Sequence, residues 1–357
     1  MTNSDSYIFT PGPVKIPSYI LAIGAEQAPY FRNESFSNIL IDCEQLLLNL
    51  AAAPVGSRVV FLAASGTGAM EAAVMNLLST ADKAIVINGG GFGQRFVDLC
   101  KRHEVAIHDH KPDGENLADT TALNAYDQAT ALLVNAHETT NGVLYDMAAI
   151  GNYCLKNKLL HIVDAISMFV TDEINMTDQH IDALIISSHK GLALPPGLSM
   201  VILSPRAIDK VAPAKSLYFN FQNYLEDGLR GQTPFTPTVT ILLQLHARLK
   251  QIERDTLKHE IDKARHIADY FRKHINAWPL GLYSRFMPNA MTALTPTNGE
   301  SASNIVKHLA ERYNIVVAPN GGALKDSVFR VSHMGDMTTA YVDVLIDALD
   351  HYYGVTR

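Results

Sequence analysis

Seven short apolar runs recur through the first two thirds of the chain, and their alternation with helical segments leaves few folds open. They are VVFLAA (59–64), AIVIN (84–88), EVAIH (104–108), ATALLVNAH (129–137), LLHIVDA (159–165), ALIISS (183–188) and LSMVILS (198–204). A strand is apolar on both faces when helices cover both sides of its sheet. The segments between most of the runs, such as GAMEAAVMNLLST and DMAAIGNYCLKNK, carry apolar residues at helical spacing. The pattern predicts an α/β fold whose mainly parallel seven-stranded sheet is sandwiched by helices. Only HKGLALPPG joins the last two runs, too short for a helical crossover, so the final strand is expected to be antiparallel.

Beyond these runs the texture changes. Residues 238–275 read as a long helical region bridging two domains. Short strands (TALTP, NIVVAP, VFRVSH) then alternate with helices, and the closing segment TTAYVDVLIDALDHYYG puts Val342, Leu345, Ile346 and Leu349 on one helical face. This predicts a large domain over residues 18–260 and a smaller C-terminal α+β domain over 261–357, joined by the N-terminal segment 1–17. A chain of 357 residues, 47% hydrophobic, has ample apolar content for both cores.

The net charge of −7, with no Lys/Arg-rich block, gives no footprint for nucleic acid and a weak repulsion from anionic membranes. Small molecules or copies of the chain itself are the expected partners. Cys43, Cys100 and Cys154 are odd in number and widely spaced, which points to neither a disulfide framework nor a metal site. The polar start MTNSDSYIFTPGPVKIP resembles no targeting signal, and no stretch reaches the roughly 18 apolar residues that span a bilayer. A cytoplasmic protein is expected.

In open α/β sheets ligands gather at the carboxyl ends of the strands. Ser65, Gly66, Thr67 and Gly68 follow the first run and open a helix, an arrangement suited to a phosphate. A plain capped turn accounts for them about as well. Gly66 and Gly68 also form a GxG, but Glu71 stands at the third glycine position and Asn88 where an acidic residue would end the next strand, so a nicotinamide dinucleotide is poorly supported. Gly89, Gly90 and Gly91 precede Phe92, which could be presented to a planar ligand rather than buried. His137, Glu138, Thr139, Thr140 and Asn141 concentrate polar groups after the fourth run. Asp164 follows Ile162 and Val163 and requires a cationic or protonated partner. Lys190 ends the sixth run; a plain ion pair with Asp164 is the simplest account of the two. A phosphate cradle, a presented aromatic, a buried carboxylate and a strand-end lysine are together what pyridoxal 5'-phosphate uses.

The residues in order resemble the class V, fold type I pyridoxal-phosphate aminotransferases, in the branch of alanine:glyoxylate, serine:pyruvate and 2-aminoethylphosphonate:pyruvate transaminases. The likeness runs from TPGPV (10–14) through RNESF, SGTGAMEA, NGGGFGQR, HETTNGVL, VDAIS, SSHKGLALPPG and TPFTP to FRVSHMGD (329–336). It implies that Lys190 is the Schiff-base lysine and that Asp164 pairs with the pyridine nitrogen. Phe92 and Ile166 would face the ring from its two sides, with Thr139 beside it. Ser65, Gly66 and Thr67 match the phosphate-binding helix start, and His189 lies near that phosphate. Thr233 and Thr236 would reach the phosphate of a neighbouring subunit, so the resemblance implies a homodimer with shared active sites. Arg330 matches the substrate-carboxylate arginine, a bidentate partner for such a group, and Arg32 is implied to assist.

Two departures stand out. His189 replaces the Gln or Asn frequent in this branch and could titrate, and APYFRNESF lacks the histidine of the family's HRSPEF pattern. The implied reaction is ping-pong transamination from a small donor (alanine, serine or 2-aminoethylphosphonate) to pyruvate or glyoxylate. Alternatives are a lyase or desulfurase using the same cofactor and, from another class, an NAD-dependent dehydrogenase or a non-catalytic binding protein.

Overall fold

The computed structural model describes residues 6–112, 120–213 and 215–356. Its strands, in chain order, are β1 (Tyr7–Phe9), β2 (Arg58–Leu62), β3 (Lys83–Ile87), β4 (Ala106–His110) and β5 (Ala131–Asn135), then a two-residue ribbon of β6 (His137–Glu138) and β7 (Val143–Leu144). There follow β8 (Leu160–Asp164), β9 (Ala183–Ser187), β10 (Ser199–Leu203), β11 (Leu280–Leu282), β12 (Met291–Pro296), β13 (Ile315–Pro319) and β14 (Phe329–Ser332).

All seven apolar runs become strands of one sheet, in the order β2-β10-β9-β8-β5-β3-β4. Only β10 is antiparallel, and it is so to both neighbours, β9 and β2. Crossing two antiparallel pairings restores the direction of β2, so six strand ends share one edge. Successive residues enter opposite cores: Val59, Phe61, Ile85, Leu132 and Leu184 pack on one face, Val60, Leu62, Val86, Leu133 and Ile185 on the other. The strand expected at 104–108 begins two residues later. The preceding helix, Gly91–Arg102, ends in a turn in which Glu104 is left-handed (φ 58°), so extended backbone starts only beyond it.

The region 238–275 is not one helix but two, Val239–Asp255 and Leu257–Arg272. Thr256 (φ 76°, ψ 146°) leaves helical geometry, and its side chain accepts from His259 N at 3.3 Å to cap the second helix. Arg248 and Glu260 close the corner as a buried two-pronged ion pair, at 3.0 and 2.6 Å.

The C-terminal α+β domain carries a five-stranded sheet, order β1-β13-β14-β12-β11. Its outer strand β1 comes from the start of the chain and lies parallel to β13. Phe9, Phe271, Trp278 and Phe329 fill its core together with Val342, Leu345, Ile346 and Leu349 of the helix Thr339–Tyr353. No helix among the described residues is long and apolar enough to cross a membrane.

Candidate active site

Lys190 and Asp164 stand at the carboxyl ends of β9 and β8, which are adjacent and parallel. Asp164 is buried. It accepts from Ile166 N at 2.9 Å and from Asn135 Nδ2 at 2.5 Å, Asn135 being its register partner on β5. Burial nevertheless lifts its carboxyl to about 6. Burial also pulls the Lys190 amine down to about 8, against the attraction of Asp164 and with the help of Arg330 and Arg95. Gly12 fits against the lysine: a Cβ there would come within 2.8 Å of Lys190 Cδ, Cε and Nζ.

Ser65 caps the helix Gly66–Leu77 after β2, its hydroxyl accepting from Gly68 N at 3.4 Å. Gly66 admits Ile166, whose Cδ1 would lie 2.4 Å from any Cβ at that position, so the phosphate-type helix start and the Ile166 side chain meet directly. Arg95 donates to Thr67 Oγ1 at 2.8 Å, and its guanidinium lies 4.7 Å from the Phe92 ring centre. Phe92 opens the helix after β3. There Glu138, from the loop after β5, accepts from Phe92 N and Gly93 N at 3.1 and 3.0 Å.

Arg330, on β14 of the C-terminal sheet, reaches the same edge. Its Nη1 donates to the carbonyl of buried Thr139 at 3.0 Å and Nη2 to that of Pro319, while Nε is buried without a partner. His189 Nδ1 bonds with Ser187 Oγ at 3.1 Å, and Ser187 continues through Ser199 to the Ala64 carbonyl beside Ser65. Burial, with Lys190 adjacent, holds the His189 imidazole down to about 4, so it stays neutral where a free histidine would titrate.

Among the described residues, Arg32, Thr233 and Thr236 make no hydrogen bond to this group. Arg32 donates to Gln232 Oε1 and to the carbonyls of Thr233 and Pro234, at 3.2, 2.8 and 3.4 Å. The Thr233 hydroxyl is buried and donates to Phe235 O at 2.7 Å, whereas Thr236 is exposed. Sequence reasoning assigned no site role to Gly12, Arg95 or Asn135, and named Glu138 only within a polar loop. Of these, Asn135 carried a signal, a lone amide ending an apolar strand as Asp164 does.

The model of the family "Aminotransferase class-V" matches residues 26–345. The chain belongs to the class V aminotransferase family. Among curated relatives of this aminotransferase, an L-aspartate--glyoxylate aminotransferase of Paracoccus denitrificans is 27% identical over 94% of this chain and 88% of its own. A Synechococcus protein named soluble hydrogenase, small subunit, is 29% identical, covering 96% and 91%. The solved aspartate aminotransferase of subgroup IV from Thermus thermophilus overlays with a TM-score of 0.88 at 25% identity, over 97% of this chain and 99% of that one.

Pyridoxal 5'-phosphate is the cofactor of this aminotransferase family. The residues present fit it. A buried carboxylate one strand from a lysine whose basicity burial lowers, a small-residue helix start backed by Arg95, and an arginine with an orphaned buried donor are groups of the kind such a ligand and an amino-acid partner use. Among the described residues no cluster of His, Cys, Asp or Glu is placed to hold a metal.

Proposed function

We propose that the chain moves an amino group from a small donor (alanine, serine or 2-aminoethylphosphonate) to pyruvate or glyoxylate in two half-reactions at one site. The observation that carries this reading is the placement of Lys190 at the carboxyl end of β9, one strand from buried Asp164, where burial also lowers the basicity of its amine. When bound, pyridoxal 5'-phosphate supplies an aldehyde that condenses with amines and a ring that withdraws electrons from the substrate α-carbon.

The chain's own residues do the rest. Near neutral pH an amine titrating at about 8 is deprotonated in an appreciable fraction, so Lys190 Nζ serves as nucleophile and then carries the α-proton. Asp164 would pair with the ring nitrogen of the bound cofactor and, as a carboxylate above about 6, hold its proton in place. Arg330 offers its free Nε to a substrate carboxylate. Ser65, Gly66 and Thr67 would take the phosphate, with His189 tied to the same loop, and Phe92, Ile166 and Thr139 would enclose the ring.

A homodimer suits the remaining residues. Tyr30, Leu217 and Leu229 are 70%, 76% and 74% exposed, and Tyr30 and Leu229 flank in sequence Arg32 and the loop of Thr233 and Thr236. Thr233, whose hydroxyl donates to Phe235 O within its own chain, and exposed Thr236 are the hydroxyls on this loop offered to a neighbour's phosphate. Division into 18–260 and 261–357 suits the two sheets, the cut falling just beyond the Thr256 corner.

A desulfurase is disfavoured: Cys43, Cys100 and Cys154 are all buried, and burial pushes every thiol up, that of Cys100 to about 12. The test is a panel of amino donors, read by conversion of bound cofactor to its pyridoxamine form. A small donor should convert it, with KM rising about tenfold or more in Arg330→Lys because a point charge replaces the guanidinium fork; silence from every donor would overturn the assignment.

A further inference from the structure

Glu138 is a carboxylate 1% exposed that accepts from three backbone N–H groups. Oε2 accepts from Phe92 and Gly93 at 3.1 and 3.0 Å, and Oε1 from Thr140 at 3.0 Å. The first two are orphan donors at the start of the helix Gly91–Arg102, so a negative charge is stabilised there by the helix terminus as well as by the bonds. Gly90 is needed for the approach: a Cβ on it would lie 2.6 Å from Glu138 Cδ. Thr140 adds a second tie, its hydroxyl accepting from Gly91 N at 3.1 Å.

The same loop is gripped from the other domain. Arg330 Nη1 donates to Thr139 O at 3.0 Å and Asn320 Nδ2 to Thr140 O at 2.9 Å. Thr139 and Thr140 are therefore held on one side by the helix that presents Phe92 and on the other by the sheet that presents Arg330. The Glu138 charge also reaches Arg330 and Asp164.

We propose that Glu138 is a positioning residue that fixes the Phe92 ring against the cofactor and, through the Thr139 carbonyl, sets Arg330 at its working place. This rests on the reading above that Phe92 faces the cofactor ring. Glutamine in its place keeps the shape but has one acceptor oxygen, so either the Phe92–Gly93 pair or Thr140 N–H meets an amide NH2. The helix start then shifts, and with it the ring.

The experiment compares holoenzyme carrying Glu138→Gln, Phe92→Ala and both together. Cofactor affinity is measured by titrating pyridoxal 5'-phosphate into the apoprotein, with the visible circular dichroism of the bound form and the KM of a carboxylate-bearing donor alongside. Glu138→Gln is expected to weaken cofactor binding about tenfold or more, change the visible dichroism and raise KM; its effect on affinity and dichroism should add little once Phe92 is gone, while the rise in KM, which runs through Arg330, should persist. If Phe92→Ala alone changes neither affinity nor dichroism, the stacking reading falls and this proposal with it. If Phe92→Ala acts but Glu138→Gln changes neither, or adds its full effect on affinity and dichroism in the double variant, the clamp is overturned and the stacking reading stands. Should Glu138→Gln not fold, Thr140→Val removes the acceptor of Gly91 N on the same loop. A smaller change in the same direction supports the clamp, and none contradicts it.

Discussion

Asn135 and Asp164 face each other in register at the carboxyl ends of neighbouring parallel strands, and the Asn135 amide donates to Asp164 Oδ2 at 2.5 Å. Asn135 Oδ1 is itself buried without a partner. The side chain is thus committed to holding the carboxylate. Replacing Asn135 by Ala removes one of the two donors to Asp164 described above, leaving the Ile166 N–H, and raises its carboxyl further above about 6. Loss of a hydrogen bond to a charged group, about 1.5–3 kcal/mol, predicts at least a tenfold loss of cofactor affinity in Asn135→Ala. Titration of the apoprotein checks it; unchanged affinity would show that Asn135 is incidental.

Gly12 sits at φ +148°, and any Cβ there collides with Lys190 Cδ, Cε and Nζ at 2.8 Å. Gly12→Ala combines backbone strain of about 1–3 kcal/mol with displacement of the lysine. Turnover is expected to drop about tenfold or more, along with a lower melting temperature. A variant as active as the parent would mean that Lys190 works from another rotamer.

The seven strands were legible because strands buried on both faces carry an unbroken apolar signature, and the antiparallel direction of β10 followed from the nine-residue link before it. Their spatial order was not, since periodicity carries no information on which strand neighbours which. Strand β1 escaped because its three residues pair with β13, more than three hundred positions away. The helix break at Thr256 was hidden by a continuous amphipathic pattern: Leu249, Ile252, Ile261 and Ala264 are all buried on either side of it. In the site, residues that carry a charge or a ring at a strand end declared themselves. Those acting by reach did not: Glu138 meets Phe92 across 46 positions, and Arg95 looks like any exposed cation on a helix until it is seen against Thr67.

The buried ionisable groups set a pH dependence of stability. Burial draws His137 down to about 3, His161 and His189 to about 4, and His333 well below its ordinary value. Each contributes stability that is present above the unfolded-state value near 6.5 and lost as pH falls through the folded value. Burial raises Asp164 and Asp172 to about 6 and lifts Asp182 in the same direction, so these three contribute in the opposite sense, their stability being present at acid pH and lost as pH rises through their folded values. Four histidines outweigh three aspartates over this range. The apoprotein should therefore unfold at lower urea at pH 5 than at pH 7, and Asp164→Asn should steepen that loss. Equal or greater stability at pH 5 would contradict the assignment of these histidines as buried and neutral.

Everything proposed for the chemistry turns on the Lys190 amine. Borohydride reduction of the holoenzyme, followed by peptide mapping by mass spectrometry, identifies the residue bonded to the cofactor. The account predicts a pyridoxyl group on Lys190 and none on that site in Lys190→Ala, whose turnover should be reduced by several orders of magnitude. A label on a different lysine, or wild-type turnover in Lys190→Ala, would contradict it.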